Sequence, residues 1–194
     1  SSRTITILTA YNHNYPFASP SPTPATNPDV RLDPSLPAVA IFTSGTTGRP
    51  KAAILPRKRF IWDYKIDPSI SIPAYRPPHW VGGLQSLTRP FLEGNTIHVV
   101  PYGNTNVFWL LFRDVPFESV ALTPPVLKEL RDYYDKHISI LSSKEVEEYL
   151  YNFRNRTKRI ISSGSMIEQN VLDFWRDTLG KHIIYNAYAM TEAG

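Results

Sequence analysis

Ala38-Val39-Ala40-Ile41-Phe42 leads directly into Thr43-Ser44-Gly45-Thr46-Thr47-Gly48-Arg49-Pro50-Lys51. An apolar, β-rich run thus opens onto a loop of glycines and hydroxyls closed by a lysine. Such a loop suits phosphate. Gly45 and Gly48 let backbone N–H groups approach an anion closely. Ser44, Thr46 and Thr47 add hydroxyl donors, and Lys51 adds a mobile positive charge. A surface turn of small polar residues has a similar composition, but the order of the string and its place after a strand favour the cradle. The common nucleotide P-loop needs Gly and Lys adjacent, then Ser or Thr. Here Arg49 and Pro50 intervene and Ala52 follows, which argues against a P-loop kinase or GTPase.

Outward from this stretch, strand-like and helical patterns alternate. Thr96-Ile97-His98-Val99-Val100, Ser119-Val120-Ala121-Leu122, Arg159-Ile160-Ile161 and His182-Ile183-Ile184-Tyr185 are short apolar runs. With Ala38 to Thr43 they read as strands buried on both faces of a parallel sheet. Pro125 suits the first turn of a helix that carries Leu127, Leu130 and Tyr134 on one face. Ser142-Ser143-Lys144-Glu145 reads as a capping box opening a helix with Val146, Leu150 and Phe153 one turn apart. Glu168 to Leu179 sets Val171, Leu172, Trp175 and Leu179 on one stripe, with Gly180 as terminator. Trp109, Phe153 and Trp175 are assigned to core packing. The alternation predicts an α/β layered domain, a mainly parallel sheet flanked by helices. Residues 1–35 read separately, as a short strand (Arg3 to Leu8) and a loop whose Pro16, Pro20, Pro22, Pro24 and Pro28 deny donors to any ladder. Residues 36–194 form the domain proper.

Composition narrows the classes. The 194 residues suffice for one domain with a substantial core, and 42% hydrophobic content is ordinary for a globular protein. No apolar run is long enough to span a bilayer, and the N-terminus lacks the layout of a signal peptide. The absence of cysteine excludes disulfides and a cysteine nucleophile, and fits a cytoplasmic setting. The net charge of +4 draws on Arg57-Lys58-Arg59 and on Arg154-Asn155-Arg156-Thr157-Lys158-Arg159. These clusters read as solvated faces rather than as a nucleic-acid surface. The five histidines show no metal-ligand spacing.

Three further segments add to the loop. Asn186-Ala187-Tyr188-Ala189-Met190-Thr191-Glu192 lies far downstream, and Pro78-His79-Trp80-Val81-Gly82-Gly83 and Ile161-Ser162-Ser163-Gly164-Ser165 fall between. On its own a Thr-Glu pair carries little meaning, Tyr188 could be an ordinary buried tyrosine, and His79 could be structural. Together and in this order, from about Leu32 to Gly194, the segments resemble the adenylate-forming (AMP-binding) superfamily. That superfamily includes acyl- and aryl-CoA synthetases, nonribosomal peptide synthetase adenylation domains and luciferases. The loop is similar to its phosphate-binding signature, and the downstream segment to its aromatic-Gly-x-Thr-Glu element, with Ala189 in place of the usual glycine. Ala52 and Arg57 depart from the family's usual glycine and histidine near the loop.

The resemblance implies ATP-dependent activation of a carboxylic acid as an acyl-adenylate, followed by thioester formation to CoA or a phosphopantetheine carrier. It implies that Thr43, Ser44, Gly45, Thr46, Thr47, Gly48 and Lys51 cradle the β- and γ-phosphates. Tyr188 packs on adenine beside Asn186 and Ala187, Thr191 donates to a phosphate oxygen, and Glu192 ligates Mg²⁺. Gly164 and Ser165 line the nucleotide pocket; His79, Ser163, Gly164 and Ala189 line the acid pocket. Lys51, Thr191 and Glu192 are the residues it casts as catalytic. The partners it implies are ATP, a small carboxylic acid, and CoA or a carrier protein. The family's later ribose-binding aspartate, hinge and small C-terminal lid domain with its lysine have no counterpart here. The chain therefore resembles an internal slice of the large N-terminal domain, expected to be incompetent alone. A non-catalytic nucleotide-binding or scaffold fragment is the alternative expectation.

Overall fold

A computed structural model of the chain describes residues 33–43, 48–60, 65–180, 184–188 and 190–191. The expected strand at Arg3 to Leu8 and the proline-rich loop lie outside these residues. β1 (Pro37–Thr43) and β2 (Lys51–Pro56) form an antiparallel hairpin. β3 (Ser71–Ala74) pairs in parallel with β4 (Thr96–Val99). β5 (Ser119–Ala121), β6 (Arg159–Ser163) and β7 (Ile184–Ala187) form a second parallel sheet in that order. The helices between them are α1 (Val81–Leu92), α2 (Thr105–Asp114), α3 (Pro124–Tyr133), α4 (Ser143–Asn155) and α5 (Gln169–Leu179). The layered α/β expectation holds. No helix among the described residues is long and apolar enough to cross a membrane.

One expectation is corrected. β1 is not a strand of the parallel sheet buried on both faces. Its partner is β2, and of its residues only Ile41 is buried, while Phe42 is 70% exposed. The physical reason is the loop itself. Thr43 pairs with Lys51, so the chain returns antiparallel alongside β1 within a few residues. The run is apolar but serves a hairpin, which needs only one covered face. Backbone bonds from Arg57 N to Leu36 O and Lys58 N to Pro34 O (both 2.9 Å) tie the hairpin base to the 3-10 turn Arg57–Phe60.

The core forms where α2 to α5 meet β5 and β6. Trp109 and Trp175 stack with ring planes 9° apart and centroids 6.0 Å apart. Each is fully buried, as are Leu127, Leu130 and Leu150, and Phe153 is nearly so. The indole N–H of Trp109 donates to Leu130 O and that of Trp175 to Leu127 O, both at 3.1 Å. Both tryptophans thus fill the core and satisfy their single polar atom on α3. The capping box opens α4 as expected: Ser142 Oγ accepts from Glu145 N, and the Glu145 carboxylate accepts from Ser142 N. Pro124 and Pro125 occupy the first turn of α3, and a left-handed Gly180 ends α5.

Arg154, Lys158 and Arg159 of the second basic cluster each hold a partner within the domain. Arg154 pairs with Glu147 and donates to Thr178 O, Lys158 pairs with Glu118, and Arg159 donates to Ser119 Oγ.

Candidate functional site at the carboxyl edge

Parallel strands deliver their C-terminal loops to one edge, and ligands of open α/β sheets bind there. β6 and β7 are neighbours in register, with Ser162 opposite Asn186 and Ser163 opposite Ala187. Gly164-Ser165 and Tyr188 therefore leave adjacent strands side by side. Gly164 takes φ +104°, a backbone state that side chains disfavour, and this turns the chain sharply out of β6. Asn186 Nδ2 lies 3.4 Å from Met166 Sδ, a second link between the two exits. Tyr188 is 92% exposed, which removes its reading as an ordinary buried tyrosine. Thr191 follows in a turn and is half-buried. Ala189 and Glu192 lie outside the described residues.

The exit of β3 reaches the same edge. Thr123, just past β5, donates its backbone N–H to Tyr75 Oη at 2.8 Å, and Tyr75 directly follows β3. Beyond Tyr75 the chain passes Arg76 and the exposed residues Pro78, His79 and Trp80 before entering α1. The rings of His79 and Trp80 meet edge-on at 5.9 Å, and Trp80 meets Tyr102 from the exit of β4 at 6.3 Å. Gly83 makes this path possible, and Gly82 makes room for the Arg76 side chain. A Cβ on Gly83 would lie 1.9 Å from Pro77 O, and one on Gly82 would lie 2.6 Å from Arg76 Nη1.

The edge thus gathers Ser163, Gly164, Ser165, Asn186, Ala187 and Tyr188 from two segments far apart in sequence, while His79 stands a few residues past the end of β3. A hollow of about 200 Å³ opens beside Ser165, between Met166 and the N-terminal half of α3 at Pro124, Pro125 and Lys128. Lys128 Nζ pairs with Glu168 at its rim, 3.2 Å away. Tyr75, Arg76, Thr123 and Met166 belong to this edge and were not singled out by sequence reasoning. The available signal was position alone: each falls within a few residues of a strand end.

Among the described residues, the hairpin is a separate sheet with no ladder to β3–β7. Ser44, Gly45, Thr46 and Thr47 lie outside the described residues. Thr43 and Lys51 close the ladder at its tip, with Thr43 Oγ1 3.4 Å from Lys51 O. Gly48 holds φ +143° with open space around it, so its glycine serves the backbone path and not a crowded neighbour. The Lys51 side of the expected constellation is therefore not brought against the Tyr188 side by any described pairing.

A parallel α/β sheet with its loops and an exposed tyrosine gathered at the carboxyl edge defines an open-sheet α/β domain of the ligand-binding kind. The chain belongs to the AMP-binding enzyme family, whose pattern it matches over residues 3–194. It is similar to the mitochondrial malonate–CoA ligase ACSF3 of Mus musculus, 28% identical over 172 residues, covering 81% of this chain and 28% of that protein. It is also similar to the acyl-CoA ligase oryP of Aspergillus oryzae, 26% identical over 164 residues, covering 82% and 30%. Among solved structures, a malonyl-CoA ligase ternary product complex with methylmalonyl-CoA and AMP bound matches with a TM-score of 0.67. That likeness is one of fold, at 18% identity, over 85% of this chain and 35% of the other. The chain thus spans less than a third of the length of these curated relatives, in the adenylate-forming N-terminal region.

Proposed function

We propose that this chain supplies the nucleotide- and acid-facing part of an ATP-dependent acid–thiol ligase. In the first step a carboxylate oxygen attacks the α-phosphorus of ATP, the bond to the bridging oxygen breaks, and pyrophosphate leaves. In the second a thiol of CoA or a phosphopantetheine carrier attacks the acyl carbon and AMP leaves. Both reactants in the first step are anions. The protein's task is to position them and to offset their repulsion with fixed donors.

The observation that carries this reading is the pairing of β6 with β7, which sets Gly164-Ser165 beside Tyr188 at one edge. Tyr188, nearly free of protein contact, offers a ring face to the adenine. Small residues at Ser163, Gly164 and Ser165 leave room for the ribose-phosphate and acyl parts, and His79, past the exit of β3, would wall the acid pocket. Thr43 and Lys51 hold the hairpin tip that would receive the β- and γ-phosphates, and Thr191 would donate to a phosphate oxygen. Glu192 would hold Mg²⁺. A lone carboxylate fits that hard cation, which keeps waters and substrate phosphates as its other ligands. When bound, the ion supplies neutralisation of phosphate charge.

Nucleotide titration of the chain, with Lys51→Ala alongside, tests the reading. We expect ATP binding that weakens about tenfold or more in Lys51→Ala, the loss of one charge-assisted phosphate contact. We expect no acyl-adenylate from the chain alone, whereas the ligase reading requires acid-dependent pyrophosphate exchange once downstream family elements accompany it. ATP binding without any exchange in that longer protein, across a broad acid panel, would establish the non-catalytic nucleotide-binding reading instead. Equal ATP affinity in Lys51→Ala would remove the phosphate role of the hairpin.

A further inference from the structure

The chain has two methionines, and each accepts a hydrogen bond from the end of β7 or the residue just past it. Asn186 Nδ2 donates to Met166 Sδ at 3.4 Å, and Tyr188 Oη donates to Met190 Sδ at 3.8 Å. Met166 is 81% exposed and lines the hollow beside Ser165, so core packing does not account for it. Its partner Asn186 is exposed as well. A carboxamide has two unlike ends, an NH₂ that donates and a carbonyl that accepts. A thioether sulfur accepts and has no hydrogen to give. Met166 therefore draws the nitrogen of the Asn186 amide to itself and turns Oδ1 the other way. Asn186 stands two residues before Tyr188, so strand alternation carried past the end of β7 sends both side chains to one face.

We infer that Met166 sets the choice of base. By fixing the Asn186 amide it presents a carbonyl, which accepts from a purine bearing an exocyclic amine and repels one bearing a carbonyl in the same place. The inference rests on the nucleotide reading above, in which the base lies on Tyr188. A purine stacked on that ring turns one edge toward Asn186. Where the edge carries an amine at C6, as in adenine, Asn186 Oδ1 accepts from it. Where it carries a carbonyl, as in hypoxanthine or guanine, two acceptors face each other, and the donor that could answer is held on sulfur. Stacking alone does not make this distinction, because every base has a π-face. A thioether is a weak acceptor, so the effect is a modest factor and not an absolute barrier. Met166 is thus a positioning residue, which acts through Asn186 and touches no reacting atom.

Titration of the chain with ATP and with inosine triphosphate tests this. The two differ at the C6 group and the neighbouring N1 hydrogen, while sugar and triphosphate stay the same. We expect ATP to bind about tenfold more tightly, the worth of about one hydrogen bond. Met166→Leu keeps the bulk and removes the acceptor, so the amide is released and can turn its nitrogen to the C6 carbonyl. Inosine triphosphate should then bind about threefold more tightly than it does to wild type, and the preference for ATP should narrow by at least that factor. A merely structural role for Met166 would weaken both nucleotides together. Met166→Ala should act in the same direction, and it decides the matter if Met166→Leu loses its cooperative melt. The inference is overturned by an unchanged ratio of the two affinities in these variants, by an equal loss of both nucleotides, or by no preference in the wild type. Absence of any ATP binding removes the nucleotide reading and this inference with it, whereas ATP binding with an unchanged ratio removes this inference alone. A ratio that follows Met166, without acid-dependent pyrophosphate exchange in the longer protein, removes the ligase reading alone.

Discussion

Gly83→Ala should destabilise the chain although it replaces glycine with the best helix former inside a helix. The added Cβ would stand 1.9 Å from Pro77 O, 2.6 Å from Pro77 C and 2.8 Å from Arg76 O. All three are backbone atoms, so no flexible side-chain end can swing aside. Propensity alone favours alanine by about 1 kcal/mol. Overpacking of this kind typically costs about 1–3 kcal/mol and occasionally more, and contacts this short belong at the upper end. We expect a net loss of about 2 kcal/mol, a fall in Tm of roughly 4–8 °C for a domain of this size. Gly82→Ala is the paired variant. Its Cβ would meet Arg76 Nη1 at 2.6 Å, the mobile end of a side chain. It should leave Tm nearly unchanged, because the guanidinium can move aside. Thermal melts by circular dichroism measure both. A Gly83→Ala protein that melts within a degree or two of wild type would refute the close-approach argument for this turn.

Two further outcomes follow from the core and the edge. Trp175→Ala should cost about 3–5 kcal/mol, because it empties a fully buried site and removes the donor on Leu127 O. Tyr188→Ala should leave stability unaltered yet weaken ATP by about 1–3 kcal/mol if the ring stacks on the base. Denaturant midpoints and nucleotide titration separate the pair, and a large stability loss in Tyr188→Ala would contradict its exposure. Burial of His98 against Phe117 and Ser71 holds its imidazole below the ordinary value of 6.5. The folded state then binds fewer protons than the unfolded chain as pH falls below 6.5. Stability from this group is fully present above that pH and declines through the acid side down to the folded pKa. Titrating stability in His98→Gln should flatten that decline, and an unchanged slope would assign it to the carboxylates instead.

Local signals in the sequence were legible where the chain itself satisfies them. The capping box at Ser142, the prolines of α3 and the terminator at Gly180 involve residues near one another, and each appears as read. Trp109, Phe153 and Trp175 were legible as core because large aromatics at helical spacing have few other uses. β3 and α1 were missed for matching reasons. Pro73 interrupts an already short strand, and Gly82, Gly83 and Pro90 depress the helical pattern of α1. Those glycines answer to Pro77 and Arg76, which is tertiary information. The hairpin was misassigned because an apolar run of this length suits a buried parallel strand and a one-faced hairpin strand equally well. At the site, the motif residues could be named but not their relation. That Gly164 and Tyr188 sit side by side depends on β6 pairing with β7 across α5.

The segment from Tyr75 to Gly83 does two jobs, and this explains its odd composition. As structure, Tyr75 ties the exit of β3 to that of β5, while the absent side chain at Gly83 lets α1 start against its own approach strand. The same geometry leaves Arg76 cradled with its Nη2 unpartnered. A sequence selected only for stability would avoid a buried unpaired guanidinium donor, since filling the space with an apolar side chain costs less. Nor does packing ask for a glycine at position 82, where the only conflict is with that arginine. The arginine and the glycine beside it therefore make sense as a pair, each explained by the other and neither by the core. If Arg76→Met raises Tm, the arginine and its glycine are kept at a cost to stability. If Arg76→Met lowers Tm, the guanidinium is a structural wedge and its orphaned nitrogen marks nothing.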